Sequence, residues 1–106
     1  MDFMGMMKKA QAMQAKLEEA QEELGRVEVQ GASGGGMVSV TMTAKGDVKG
    51  VSIDPSLLAP SDKETIEDLI VAALSDAKAK AERAAAEKMQ TLAAGLALPP
   101  GMKLPF

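Results

Sequence analysis

The chain has 106 residues, a net charge of −3, no Cys, no His and two aromatic residues, Phe3 and Phe106. A length of this kind is one domain with a modest core. That core must come from Ala, Val, Leu, Ile and nine Met, so it is thin and a second chain is expected to complete it. The missing residue types exclude disulfides, thiolate nucleophiles, imidazole bases and zinc sites with Cys or His ligands. No EF-hand-type spacing of oxygen ligands is present either. The expectation is therefore a protein that is not an enzyme, with no cofactor, no metal and no small-molecule substrate. Met1 to Lys9 contains Asp2 and no apolar run before its lysines, unlike a signal peptide. The longest apolar run, Ile70 to Leu74, is too short for a membrane span. A cytoplasmic location with no membrane partner is expected.

In chain order, apolar residues first recur at Phe3, Met6, Ala10, Met13, Leu17, Ala20 and Leu24. The alternating spacing of three and four is a heptad seam. Good helix formers fill the positions between, and Gly25 loosens the run, which predicts a helix over Phe3–Leu24, about 33 Å long. Val27 and Val29 then alternate with polar residues. A Gly-rich segment, Gly31 to Gly36, reads as a flexible connection, because a phosphate loop would need a helix directly after it. Val38, Val40 and Met42 alternate with Ser39, Thr41 and Thr43. Lys45-Gly46-Asp47 reads as a hairpin turn, and Val48, Val51 and Ile53 mark a third strand. This is an antiparallel meander with one wet face, whose edges need protection.

Asp54-Pro55 ends the third strand and opens a single turn through Leu58. Ser61-Asp62-Lys63-Glu64 has the form of a capping box. The helix it introduces carries Ile66, Leu69, Ile70, Ala73, Ala77, Ala81, Ala84, Ala85 and Met89 on one side, and extends to about Leu92 before Gly95 and Pro99-Pro100. The fold class is thus α+β: a long N-terminal helix, a three-stranded antiparallel meander and a long C-terminal helix. Residues 1–95 are expected to form one α-β-β-β-α domain, with 96–106 a Pro/Gly-rich tail.

Charge is unevenly distributed. Residues 1–16 carry Lys8, Lys9 and Lys16 against Asp2, a balance of +2, whereas residues 17–28 sum to −4. Residues 62–76 again sum to −4. Residues 77–88 set Lys78, Lys80, Arg83 and Lys88 against Glu82 and Glu87, a balance of +2. If the two helices pack antiparallel, their basic ends meet at a tip far from the sheet, a grip suited to a phosphate backbone. In the second helix the same ordering is also ordinary compensation of the helix dipole. In the first helix the lysines sit at the end where the dipole disfavours them. Few aromatics means no stacking platform for single strands, so a duplex is the expected nucleic acid. Lys8, Lys9, Lys16, Lys78, Lys80, Arg83 and Lys88 are the candidate phosphate contacts. The alternative is a dimeric adaptor that binds another protein through the Met-rich first helix, without touching DNA.

Several stretches together carry a family resemblance. They are Gly36-Met37-Val38-Ser39-Val40-Thr41, Val51-Ser52-Ile53-Asp54-Pro55-Ser56-Leu57-Leu58 and Glu67-Asp68-Leu69-Ile70-Val71-Ala72-Ala73-Leu74. Ala86-Glu87-Lys88-Met89 and the ending Gly101-Met102-Lys103-Leu104-Pro105-Phe106 complete the set. In combination they resemble the YbaB/EbfC family of bacterial nucleoid-associated proteins. The resemblance implies a tweezer-like homodimer joined through the sheet region, with Val38, Val40, Met42, Val51 and Ile53 as the expected interface. It also implies projecting helices that contact double-stranded DNA with modest sequence preference, and a role in nucleoid organisation and gene regulation. Ser39 stands where that family commonly has Lys, which shifts weight from the sheet to the helix tips.

Overall fold

The computed structural model describes residues 2–95, so the expected tail at 96–106 lies outside the described residues. Helix α1 spans Phe3–Arg26, and the Asp2 side chain caps it by accepting from the Met4 amide at 3.1 Å. Val27 turns extended and the chain enters β1 (Glu28–Ser33), a tight turn at Gly34–Gly36, β2 (Val38–Thr43) and β3 (Val48–Ile53). Two short 3-10 turns, Pro55–Leu57 and Pro60–Asp62, lead into α2 (Lys63–Gly95). The sheet is antiparallel in the order β1-β2-β3. The expected α-β-β-β-α architecture is the one observed.

Two local expectations change. The Gly-rich segment is not wholly a connection, because Gly31, Ala32 and Ser33 belong to β1 and pair with Val40, Ser39 and Val38. Only Gly34–Gly36 turns, with φ of +60°, +68° and +95°, a region that strongly favours Gly. The capping box does not close. Ser61 lies inside the turn Pro60–Asp62 rather than in the extended conformation that an N-cap requires.

Gly31 has a packing role. A Cβ built there would fall 2.7 Å from the Ala77 Cα, and closer still to the Ala77 nitrogen and the Ala73 carbonyl oxygen. Helix α2 therefore crosses β1 with backbone nearly against backbone. The stripe Ala73, Ala77 and Ala81 makes that approach feasible, and all three are buried. Helix and strand run antiparallel, tied by Ser33 Oγ donating to the Leu69 carbonyl at 2.5 Å and by Lys80 Nζ donating to the Gln30 carbonyl at 2.8 Å. Between them, Asp76 Oδ2 accepts from the Ala32 amide at 3.0 Å.

The core beneath α2 is Val38, Val40, Met42 and Leu57 with the Ala stripe, flanked by Val29, Ile53, Ile66, Leu69, Ile70 and Leu74. Val38 and Val40 are 0% exposed. The family resemblance implies a place between two chains for these two and Met42; the structure instead buries them under α2 of their own chain. The reason is the close approach at Gly31, which lets one helix cover both β1 and β2. Strand β3 is left outside this cover, exposed from Val48 to Ser52.

The whole is a rod of 71 × 24 × 16 Å with a radius of gyration of 19.6 Å. A compact domain of this length would have about 13 Å. The excess comes from the helices.

Candidate nucleic-acid interface

Helices α1 and α2 pack antiparallel, and their register is set by the ion pair of Lys88 with Glu23. Hydrogen bonding from Lys88, together with its charge, holds the Glu23 carboxyl below the usual carboxylate range. Seven residues back along α1 from Glu23 is Lys16, and seven forward along α2 from Lys88 is Gly95, so those two are level. Residues 3–15 consequently project past the last described residue of α2, by about 20 Å at 1.5 Å per residue. This is an arm. Ala20 and Leu24, nearer the sheet, are buried by the helix pair, while Phe3 on the arm is 72% exposed. Met4, Met6 and Met7 are exposed beside it.

The arm is electrostatically simple. From Phe3 to Leu17 there are three lysines, Lys8, Lys9 and Lys16, and no acid; residues 89–95 of α2 are uncharged. The acids Glu18, Glu19, Glu22 and Glu23 begin where the arm meets the body. Lys16 and Lys88 lie together along a shallow groove of about 220 Å³, lined also by Glu19, Ala20, Glu23, Thr91 and Leu92. The far end of the rod is thus positive and its shoulder negative.

The structure does not gather all of the expected basic residues at one tip. With Glu23 level with Lys88, Lys8 lies about 30 Å along the axis from Arg83 and about 37 Å from Lys78. Lys78, Lys80 and Arg83 sit beside the sheet. Lys80 is occupied there, bridging Asp76 at 3.2 Å while donating to Gln30. The Ala32 amide, then Lys80 and, more weakly, Arg83, lower the Asp76 carboxyl below its usual range. Lys8, Lys9, Lys16, Lys78 and Arg83 form no ion pair among the described residues.

On the sheet, Val51 is 48% exposed and Ile53 half-buried. Register places Val51 opposite Val40 and Val48 opposite Met42, on the α2 side of the sheet but past its cover. Val48 joins this face because the ladder skips Lys49 at an irregularity between Thr41 and Met42, as a β-bulge does. Period-two reading of the sequence puts Val48 and Val51 on opposite faces and misses the pairing. The signal was Gly50 inside a strand, a common mark of a bulge.

The family model of the YbaB/EbfC DNA-binding family matches residues 1–96. The chain belongs to that family. A nucleoid-associated protein of Nitrobacter hamburgensis is 60% identical over 103 residues, covering 97% of each chain. One of Methylocella silvestris is 56% identical over 105 residues, covering 99% of this chain and 98% of its own. The crystal structure of an uncharacterised protein of Helicobacter pylori superposes with a TM-score of 0.71 at 30% identity, covering 92% of this chain and 99% of that one. The family is described as DNA-binding and the Nitrobacter and Methylocella relatives as nucleoid-associated, which points to a non-enzymatic protein. Among the described residues, no helix is long and apolar enough to cross a membrane, and no group of three or more His, Cys, Asp or Glu is placed to hold a metal.

Proposed function

We propose that this protein binds double-stranded DNA as a homodimer in the bacterial nucleoid, gripping the phosphate backbone with its two α1 arms and so helping to organise the nucleoid and regulate genes. The observation that carries the reading is the arm itself: residues 3–15 of α1 hold no acid, project past the described part of α2 and bear Lys8 and Lys9, with Lys16 where the arm meets the body. Lys88 sits at the arm's base. Lys78, Lys80 and Arg83 form a second basic stretch beside the sheet, with Lys80 already paired. Lysine contacts to phosphate position a protein without reading bases, and Arg83 is the one arginine in the set, so sequence preference is modest.

The exposed apolar edge of β3 supports the homodimer in this reading. Val48 and Val51 present apolar surface that α2 leaves uncovered, on a strand at the sheet's edge. Pairing that edge with a second copy covers it and sets two arms on one assembly. Val51 and Ile53 of the expected interface, with Val48, carry the contact.

A labelled duplex titrated at low salt, with unlabelled single strands and unrelated duplexes as competitors, tests the function. Binding that any duplex competes away and single strands do not is the expected result. Failure to bind at low salt, or a sharp and information-rich preferred site, would contradict it.

A further inference from the structure

The two edges of the sheet are not equivalent. The Ala44 amide donates to the Val27 carbonyl at 2.9 Å. Continuing that alternation along the β1–β2 register, the hydrogen-bonded pairs are Val29 with Met42, Gly31 with Val40 and Ser33 with Val38. Glu28, Gln30 and Ala32 therefore turn their backbone groups outward. Two of these groups are engaged by α2: the Gln30 carbonyl accepts from Lys80, and the Ala32 amide donates to Asp76. Asp76 and Lys80 are also bridged to each other at 3.2 Å, so the two caps form one unit.

At the other edge, the Asp54 amide donates to the Met37 carbonyl at 2.8 Å. The same alternation makes Ser39 with Ser52 and Thr41 with Gly50 the bonded pairs, and turns the backbone of Val51 and Ile53 outward. No side chain among the described residues bonds to these groups. One edge is plugged and charged, the other open and apolar. An open strand edge is a template for another chain, and charges at an edge blunt it.

We infer that the Asp76–Lys80 pair guards the outer edge of β1 and so stops assembly at two copies. This rests on the dimer proposed above, because pairing β3 with β3 leaves β1 as the outer strand at both ends of a six-stranded sheet. Each end then carries its own Asp76–Lys80 plug, and the closed pair cannot grow. Without the plug, the exposed Gln30 and Ala32 groups let one dimer add to the next.

The test is mass against protein concentration, by sedimentation velocity, on the full chain. Wild type is expected to stay at twice the 11.0 kDa chain mass. The variant Asp76→Ala with Lys80→Ala is expected to keep native helix content by circular dichroism and to more than double that mass as concentration rises. Adding Ala32→Pro, which removes the outward amide that growth would use, is expected to restore the dimer. Asp76→Asn keeps an oxygen to accept from Ala32 and is expected to leave the mass unchanged. Should the double variant fold poorly, Lys80→Ala alone frees the Gln30 carbonyl and is expected to show a smaller rise. A folded plug variant with wild-type mass at every concentration overturns the guard, as does growth that Ala32→Pro leaves untouched. A wild type that sediments as a single chain refutes the dimer instead. The guard is then judged by whether removing the plug raises the mass above that of one chain.

Discussion

Replacing Gly31 with Ala tests the packing on which the whole architecture depends. The new methyl would lie 2.7 Å from the Ala77 Cα and nearer to two other backbone atoms of α2. No side chain can rotate away to accommodate it, so the helix itself must shift off β1. That shift loosens the Ala73, Ala77 and Ala81 contacts and stretches the bonds from Ser33, Ala32 and Gln30 to α2. Overpacking typically costs about 1–3 kcal/mol, and backbone obstacles put this site at the upper end, about 3 kcal/mol. For a domain of this length that is a fall in Tm of roughly 15 °C. Gly50→Ala is the matched control, since nothing lies within 4 Å of a Cβ at that position. Thermal and urea unfolding followed by circular dichroism read both. A Gly31→Ala protein within about 0.5 kcal/mol of wild type, the range of an ordinary surface change, would refute the close crossing of α2 over β1.

Other outcomes follow from the same contacts. Leu24 is buried where α1 meets the body, and Leu24→Ala is expected to cost about 2–5 kcal/mol in urea unfolding, while Phe3→Ala on the exposed arm leaves stability within about 0.5 kcal/mol. Asp76 has a lowered carboxyl pKa in the folded chain, because the Ala32 amide and Lys80 favour its charged form. Its contribution to stability is therefore full above the unfolded carboxylate pKa, about 4, and is lost as pH falls through the lower folded value. Asp76→Asn is expected to flatten the acid limb of the stability–pH profile below about pH 4; an unchanged acid limb would show that the Asp76 charge does not contribute.

Periodicity made the elements legible, but not their partners. The heptad of α1 runs evenly from Phe3 to Leu24, yet only its last residues are buried, because among the described residues α2 reaches only to the level of Lys16, short of Phe3 and Met6. Alternation located Val38, Val40 and Met42 on one face of β2, and that face is real. Whether a helix or a second chain covered it depended on how near α2 could come, a distance set by Gly31 and three alanines far apart in sequence. Composition alone makes the glycines look like slack; Gly31 is instead a contact surface within a strand. The bulge at Lys49 reassigns Val48 to the face of Val51, which a strict two-residue period cannot express. For the candidate site, the run of lysines without acids was visible in the sequence. The separation of Lys78, Lys80 and Arg83 from Lys8 followed only from the pairing of Glu23 with Lys88.

The most direct test of the arm as the DNA grip is the salt dependence of duplex binding. Lys8 and Lys9 on the arm and Lys16 at its base, on each of two copies, give at most six phosphate contacts; at about 0.9 per contact, the log–log slope is near −5. Affinity should then fall about a thousandfold between roughly 50 and 200 mM salt. Changing Lys8, Lys9 and Lys16 to Gln is expected to remove most of that slope and weaken binding to every duplex alike. Changing Lys78 and Arg83 to Gln, which leaves the Lys80 contacts intact, is expected to remove little. Equal losses from the two variants, or a greater loss from the second, would contradict the account and place the DNA against the sheet-side stretch of α2.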